Sequence, residues 1–310
     1  MALCTRMKLL PFVALFFPLC FPDLENPRAS ADEPLRISGK TMGSYYAIVV
    51  DYPGSANANQ LQEEIEAVFA EINRQMSTWD ENSEISQFNR SASTDWFTVG
   101  KDFAVVAQEA KRIHELSEGA LDPTLAPLID AWGFGVKKTR RAIPSDEEIS
   151  NALRNVGMQH LEARTEPLAI RKAIPGLQLT FSSIAPGYAA DEVCRILRSH
   201  GLTSHVVDVG GENRAGSAKA NGDACRVGVE SPLGGDLYKV VELTDKAIAT
   251  SGDYRNCRFR LESVSLFRSE LQRSGGSGVE FEEAPATCQF PRRASFLEPV
   301  VPCVSSLLTN

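Results

Sequence analysis

The chain has 310 residues, 43% of them hydrophobic and 23% charged, and a formal net charge of −8. That length can bury a full core in one large domain or two small ones. The acidic balance argues against a nucleic-acid partner, because affinity there rests on a basic footprint.

The N-terminus reads as a targeting segment. Arg6 and Lys8 precede the apolar run Leu9 to Phe21, and Ala29-Ser30-Ala31 offers a small-x-small cleavage site before Asp32. The run is too short and too broken by proline for a transmembrane helix. Pro18 and Leu19 are poor neighbours for lipidation of Cys20. The expectation is a signal peptide over residues 1–31 and export to the bacterial periplasm. Cys4 and Cys20 leave with that segment, and the odd set that remains (Cys194, Cys225, Cys257, Cys288 and Cys303) does not read as a disulfide framework. No Cys or His cluster has zinc spacing.

Ile37 to Val50 reads as a strand pair or one long bent strand, interrupted by Gly39 and by Thr41-Met42-Gly43-Ser44. Leu61, Ile65, Val68, Phe69, Ile72 and Met76 form a helical stripe. Ser77-Thr78-Trp79-Asp80 breaks it into a loop, and a second helix follows from about Asp102 to Ser117, stopping near Gly119. Lys137-Lys138-Thr139-Arg140-Arg141 reads as a solvated loop, with a phosphate or membrane surface as the functional alternative. Ser145 with Glu148 makes a capping box for a helix carrying Ile149, Leu153 and Val156. Strands are expected at Leu177–Phe181, Ser204–Val209, Arg226–Val229, Leu237–Leu243 and Ala247–Thr250. Helices and strands mix without strict alternation, which predicts an α+β, layered mixed α/β domain over residues 32–257. From Arg258 the character changes: residues 258–310 contain no Lys, Asp, Ile, Tyr, His or Trp and end Pro/Ser-rich, as a flexible tail does.

The compact turn Ser182-Ser183-Ile184-Ala185-Pro186-Gly187, entered by Leu177, Leu179 and Phe181 and left by an amphipathic helix, is a candidate phosphate cradle. It can equally be a connection between two packed elements. Walker, dinucleotide-binding and Gly-x-Ser-x-Gly signatures are missing. His114, His160, His200 and His205 are scattered, and His114 and His200 fall where helix C-termini commonly use imidazole as a cap.

Seven segments in order carry more. Thr41–Tyr46, Ser77–Trp79 with Ser83–Asn89, Gly119–Thr124, Trp132–Gly135, Ser182–Asp191, Asp208-Val209-Gly210-Gly211-Glu212 and Ala249–Tyr254 together resemble the FAD:protein FMN transferase (ApbE-like) family, over about residues 37–256. The resemblance implies an enzyme that splits FAD at its pyrophosphate, attaches FMN to a Thr or Ser hydroxyl of a target flavoprotein subunit and releases AMP, with Mg²⁺ as the metal. It implies that Met42 and Trp79 flank the flavin or adenine, and that Ala120, Leu121 and Asp122 contact FAD. It also implies that Ser182 and Tyr188 lie at the pyrophosphate and that the Ala185 carbonyl ligates the metal. Asp208, Gly210, Gly211 and Glu212 would shape the pocket wall. No catalytic residue is assigned. Membrane proximity is expected only through the target. The alternative is a periplasmic FAD-binding or delivery protein without transfer chemistry.

The chain departs from the family pattern in two places. Thr180 and Pro186 stand where the family turn has Asp and Lys. After Cys257 the family's His-x-x-Asp-Pro-x-Thr-Gly segment and its metal-ligand helix do not follow. The break coincides with the change of composition and points to a reading-frame shift, which resequencing across the codons for residues 250–260 tests.

Overall fold

A computed structural model describes residues 33–51, 54, 56–136, 143–231 and 237–250. The targeting segment, the 137–141 basic run, part of the Ala249–Tyr254 segment and the tail lie outside the described residues. Among the described residues no helix is long and apolar enough to cross a membrane.

The first two strands, β1 (Leu35–Thr41) and β2 (Ser44–Val50), form a hairpin whose two-residue loop is Met42-Gly43, with φ of 51° and 74°. Positive φ at both loop positions is the geometry that matches the strand twist. Gly39 does not break the strand. It pairs with Tyr46, whose buried ring would lie 2.6 Å from a Cβ at that position, so glycine is there to let the ring cross it.

Three further strands complete an antiparallel sheet in the order β1-β2-β6-β7-β10, where β6 is His205–Val209, β7 Glu212–Ala215 and β10 Ala247–Ile248. Strands β3 (Phe97–Thr98), β5 (Leu168–Lys172) and β4 (Leu161–Thr165) form a second sheet, and β8 (Cys225–Glu230) with β9 (Leu237–Leu243) a two-stranded ribbon.

Two helices cover the large sheet: α1 (Ala58–Met76), which buries its expected stripe, and α6 (Ala185–Ser199). The core lies between them and the strands, with Tyr46, Ile48, Val50, Ile65, Ile72, Val193, Leu197, Val207 and Val209 inside. Beside α1 pack α2 (Glu84–Arg90) and α3 (Lys101–Leu116). The layered α+β class expected from the sequence is the one observed. The expected capping box opens α5 (Asp146–Leu153), which follows α4 (Ala126–Ala131). Helix α5 ends before Val156 and buries none of its residues.

One expected strand is absent. Leu177, Leu179 and Phe181 are buried in alternation, yet Leu177–Phe181 joins no sheet. Its polar groups are met outside any sheet, by loop backbone and by side chains: Asn89 Nδ2 donates to the Leu179 carbonyl (2.8 Å) and Leu179 N–H to Asn89 Oδ1 (2.7 Å). Period two reports which side chains are inside, not who bonds the backbone.

Candidate active site

Antiparallel packing brings the ordered segments to one end of the domain. Tyr188 in the first turns of α6 bonds Asp102, which also takes a bond from Gln75 near the end of α1, whereas His200 at the far end of α6 reaches Glu64 near the start of α1. The α6 N-terminus and the α1 C-terminus therefore share one end. At that end Asn73 of α1 donates to the Thr41 hydroxyl (3.4 Å), which places the Met42 loop beside the Ser77–Trp79 loop. The register Tyr46↔Val209 sets the β6–β7 turn, Gly210-Gly211, next to the Met42-Gly43 turn, and Gly210 N–H donates to the Tyr45 carbonyl (2.9 Å). Thr250 follows β10 to the same place, with its hydroxyl 4.0 Å from a Cβ built on Gly211.

The Gly119–Thr124 segment attaches here through the Leu177–Ser182 stretch. Thr180 N–H donates to the Pro123 carbonyl (2.8 Å). Asp122 holds its own turn by accepting from Thr124 N–H and Oγ1 (2.8 and 2.5 Å), and His114 Nδ1 donates to the Leu121 carbonyl (2.7 Å). Trp132–Gly135 closes α4, with Gly133 N–H on the Asp130 carbonyl (2.9 Å) and Phe134 N–H on Ile129 (2.9 Å).

The expected site residues differ in how they sit. Trp79 is 54% exposed and Ala120 and Ser182 are exposed, while Met42, Leu121 and Asp122 are half-buried. Tyr188 is only 5% exposed, and its hydroxyl donates to Asp102 Oδ1 (2.8 Å). Burial, reinforced by that carboxylate, raises its pKa well above the ordinary phenol value. Tyr188 thus ties α6 to α3 from inside the core.

Met42 is held in the left-handed region at φ 51°, which a bulky non-glycine residue adopts only under strain. Met42→Asn should therefore raise stability by about 1 kcal/mol, read by thermal unfolding. If Met42 flanks the flavin, the same variant weakens FAD binding in a fluorescence titration. Unchanged FAD affinity would remove Met42 from the site.

The Ser182 turn is less of an anion cradle than its sequence suggests. Ile184 and Ala185 N–H both donate to the Phe181 carbonyl (2.9 and 2.8 Å), and Pro186 has no N–H. The exposed Ser182 and Ser183 are what the turn presents to solvent. Thr180 does locally what an aspartate does in an Asx-turn: its Oγ1 accepts from Ser182 N–H (3.4 Å) and donates to Ser182 Oγ (3.1 Å). Pro186 falls in the first helical turn, where a missing N–H has no ladder partner to lose. Ala185 is the first helical residue, so its carbonyl enters the helix ladder and keeps one lone pair for another partner.

Among the described residues no group of three or more His, Cys, Asp or Glu side chains could hold a metal. Asp208 is occupied by Gly211 N–H (2.8 Å) and the Tyr45 hydroxyl (3.3 Å). By themselves the described residues do not fit a divalent cation. Three of the four histidines make structural bonds: besides His114 and His200, His205 is buried with Nδ1 on the Leu202 carbonyl (2.7 Å).

The ApbE family model matches residues 42–265. The chain belongs to the ApbE family. FAD:protein FMN transferase of Vibrio cholerae is 38% identical over 247 residues, 79% of this chain and 72% of that protein. The Haemophilus influenzae FAD:protein FMN transferase is 32% identical over 265 residues, 83% and 76% of the two chains. Among solved structures, the V. cholerae flavin transferase ApbE aligns with TM-score 0.67 at 38% identity, covering 74% of each chain. Pseudomonas stutzeri flavinyl transferase ApbE aligns with TM-score 0.66 at 34% identity, covering 73% of this chain and 71% of that one.

Two residues of the ApbE fold carry more than the sequence assigns to them. Lys172 is buried on β5, and Glu212 was read only as pocket wall. A lysine on the inner face of a strand carries no sequence signal. A carboxylate after Gly-Gly has only the turn to mark it.

Proposed function

We propose that this chain is an FAD:protein FMN transferase: it transfers the FMN half of FAD to a hydroxyl of a target flavoprotein and releases AMP. The observation that carries the reading is the gathering of the ordered family segments at one end of the domain, on top of the family membership. In this reading Met42 and the exposed Trp79 hold a flat ring system, as apolar and aromatic groups do. The Asp122 turn and the Ser182–Ser183 hydroxyls lie along the phosphate side. Phosphoryl transfer is mostly positioning and electrostatics, and the Asp122 carboxylate bonds to Thr124 with the Thr180–Pro123 backbone bond supply the positioning.

Magnesium belongs to the reading only through the family resemblance, which gives it the Ala185 carbonyl; the described residues by themselves make no site for it. Export to the periplasm rests on the N-terminal pattern, and a Thr or Ser acceptor on a membrane-proximal flavoprotein rests on the resemblance.

The test incubates purified protein with FAD, a peptide carrying an acceptor threonine, and Mg²⁺ or EDTA. Covalent FMN is read by in-gel fluorescence and AMP by chromatography. Label on the peptide with stoichiometric AMP supports the reading. FAD retention without label or AMP would instead make the chain a flavin-binding or delivery protein.

A further inference from the structure

We propose that Glu212 accepts the proton of the attacking hydroxyl, an inference that rests on the transferase reading above. Position is the first argument. Arg214 of β7 faces Asp191 of α6, Nε to Oδ1 3.8 Å. Glu212 lies two residues earlier on the same strand, so it shares that face, about 7 Å back toward the turn. Arg198, further along α6, reaches Asp245, whose N–H bonds Gly216 just beyond β7, so helix and strand advance together. About 7 Å along a helix is between four and five residues, which sets Glu212 level with the first turn of α6. There it lies between the Ser182 turn and the Gly210-Gly211 turn, with a carboxylate oxygen 3.7 Å from a Cβ built on Gly210.

Availability is the second. The other partly buried carboxylates at this end are engaged: Asp208 by Gly211 and Tyr45, Asp122 by Thr124, Asp102 by Tyr188 and Gln75, and Asp191 against Arg214. Glu212 has its own backbone amide as hydrogen-bond partner. The charged and titratable groups that surround it are Asp208 from β6, Tyr45 from β2 (its hydroxyl on Asp208), Arg214 from its own strand and Asp191 from α6 (those two facing each other). Burial, with the Asp208 carboxylate adding to it, pushes the Glu212 carboxyl up to about 7. A general base works best when its pKa lies near the operating pH.

The step balances. The acceptor oxygen forms a bond to the phosphorus of the FMN half as its O–H bond breaks, and the proton goes to Glu212. The phosphoanhydride P–O bond breaks, its electron pair leaving with AMP. Glu212 then returns the proton to solvent.

The experiment measures kcat for labelling of the threonine peptide at saturating FAD from pH 5.5 to 9, together with FAD affinity, in wild type and Glu212→Gln. In parallel, the carboxyl of Glu212 is titrated directly by ¹³C NMR. Wild-type kcat should rise with pH and level near pH 7. Glu212→Gln should lower kcat by about 10²–10⁴-fold and abolish the rise, with FAD affinity within about threefold of wild type, because the interaction is made only in the transition state. A Gln variant that transfers at the wild-type rate, or whose loss follows FAD affinity alone, overturns the proposal while leaving the transferase reading standing. So does a carboxyl that titrates near 4.5. A wild type that binds FAD but labels nothing at any pH overturns both.

Discussion

Lys172→Met is expected to destabilise the domain by about 3–5 kcal/mol, because it takes a charged donor away from three buried or half-buried backbone carbonyls. Lys172 is 1% exposed, and its ammonium donates to the carbonyls of Phe88 (2.8 Å), Ser91 (2.9 Å) and Leu177 (2.9 Å). Two of these belong to the C-terminal end of α2, where helix carbonyls lack ladder partners and attract a cation. The third opens the extended stretch that leads to Ser182. One side chain thus joins α2, which follows the Trp79 loop, to the stretch that carries the Ser182 turn. For a domain of this size the loss corresponds to a melting temperature lower by roughly 10 °C, read by circular dichroism. A shift of one or two degrees would show that water or backbone movement satisfies the three carbonyls.

The same residue sets a pH dependence. Burial pushes the Lys172 ammonium down to about 8, below its unfolded value of about 10.4. Between those two values the unfolded chain binds more protons, so stability rises with pH over that window. Below about 8 both states are protonated, and the full penalty of burying the charge is present. The alkaline rise should be missing in Lys172→Met. Glu212 has the opposite sign. Its folded pKa of about 7 lies above the usual carboxylate range, so its contribution is complete below about 4.3 and is lost as pH rises through 7. Glu212→Gln should therefore flatten the fall in stability between about pH 4.3 and 7.

Phe181→Ala is expected to lower stability by about 3–5 kcal/mol, the usual range for emptying a buried aromatic site. Phe181 is fully buried, packed edge-to-face on Phe103 at 5.1 Å, and its carbonyl receives the Ile184 and Ala185 amides. Losing the ring removes the anchor on which the start of α6 is built. Urea unfolding should record the stability loss. FAD titration under native conditions should show weaker binding, since Ser182 is the next residue. A folded variant with wild-type FAD affinity would place the flavin site away from this turn.

Much of this fold is written in local pattern. The α1 stripe, the Ser145–Glu148 capping box and the β1–β2 hairpin follow from periodicity, capping chemistry and turn chemistry acting within a few residues. What escaped depends on distant partners. Leu177–Phe181 reads as a strand because burial alternates, but Leu179 is bonded by Asn89, 90 residues away in sequence. Strands β4 and β5 were hidden by their charged residues. Of these, Arg164 and Arg171 lie over Trp96 at 4.5 and 4.8 Å, contacts no local window contains.

The candidate site was legible as a set of segments, because each is a short turn with its own composition. Their convergence was not, since it follows from the antiparallel packing of α1, α6 and β6. The roles of single residues were hidden further. The strain at Met42 exists only because the hairpin closes in two residues, and the raised pKa of Glu212 exists only because the sheet, α6 and Asp208 surround it.

The convergence of these segments on one flavin site is tested most directly by hydrogen exchange of the full chain with and without FAD. FAD-dependent protection is expected to be confined to the amides of residues 41–45, 77–80, 119–124, 182–188 and 209–212. Residues 58–64 at the start of α1 and 198–204 at the far end of α6, the end opposite the site, should exchange unchanged. Protection centred on those control segments, or none at saturating FAD, would contradict it.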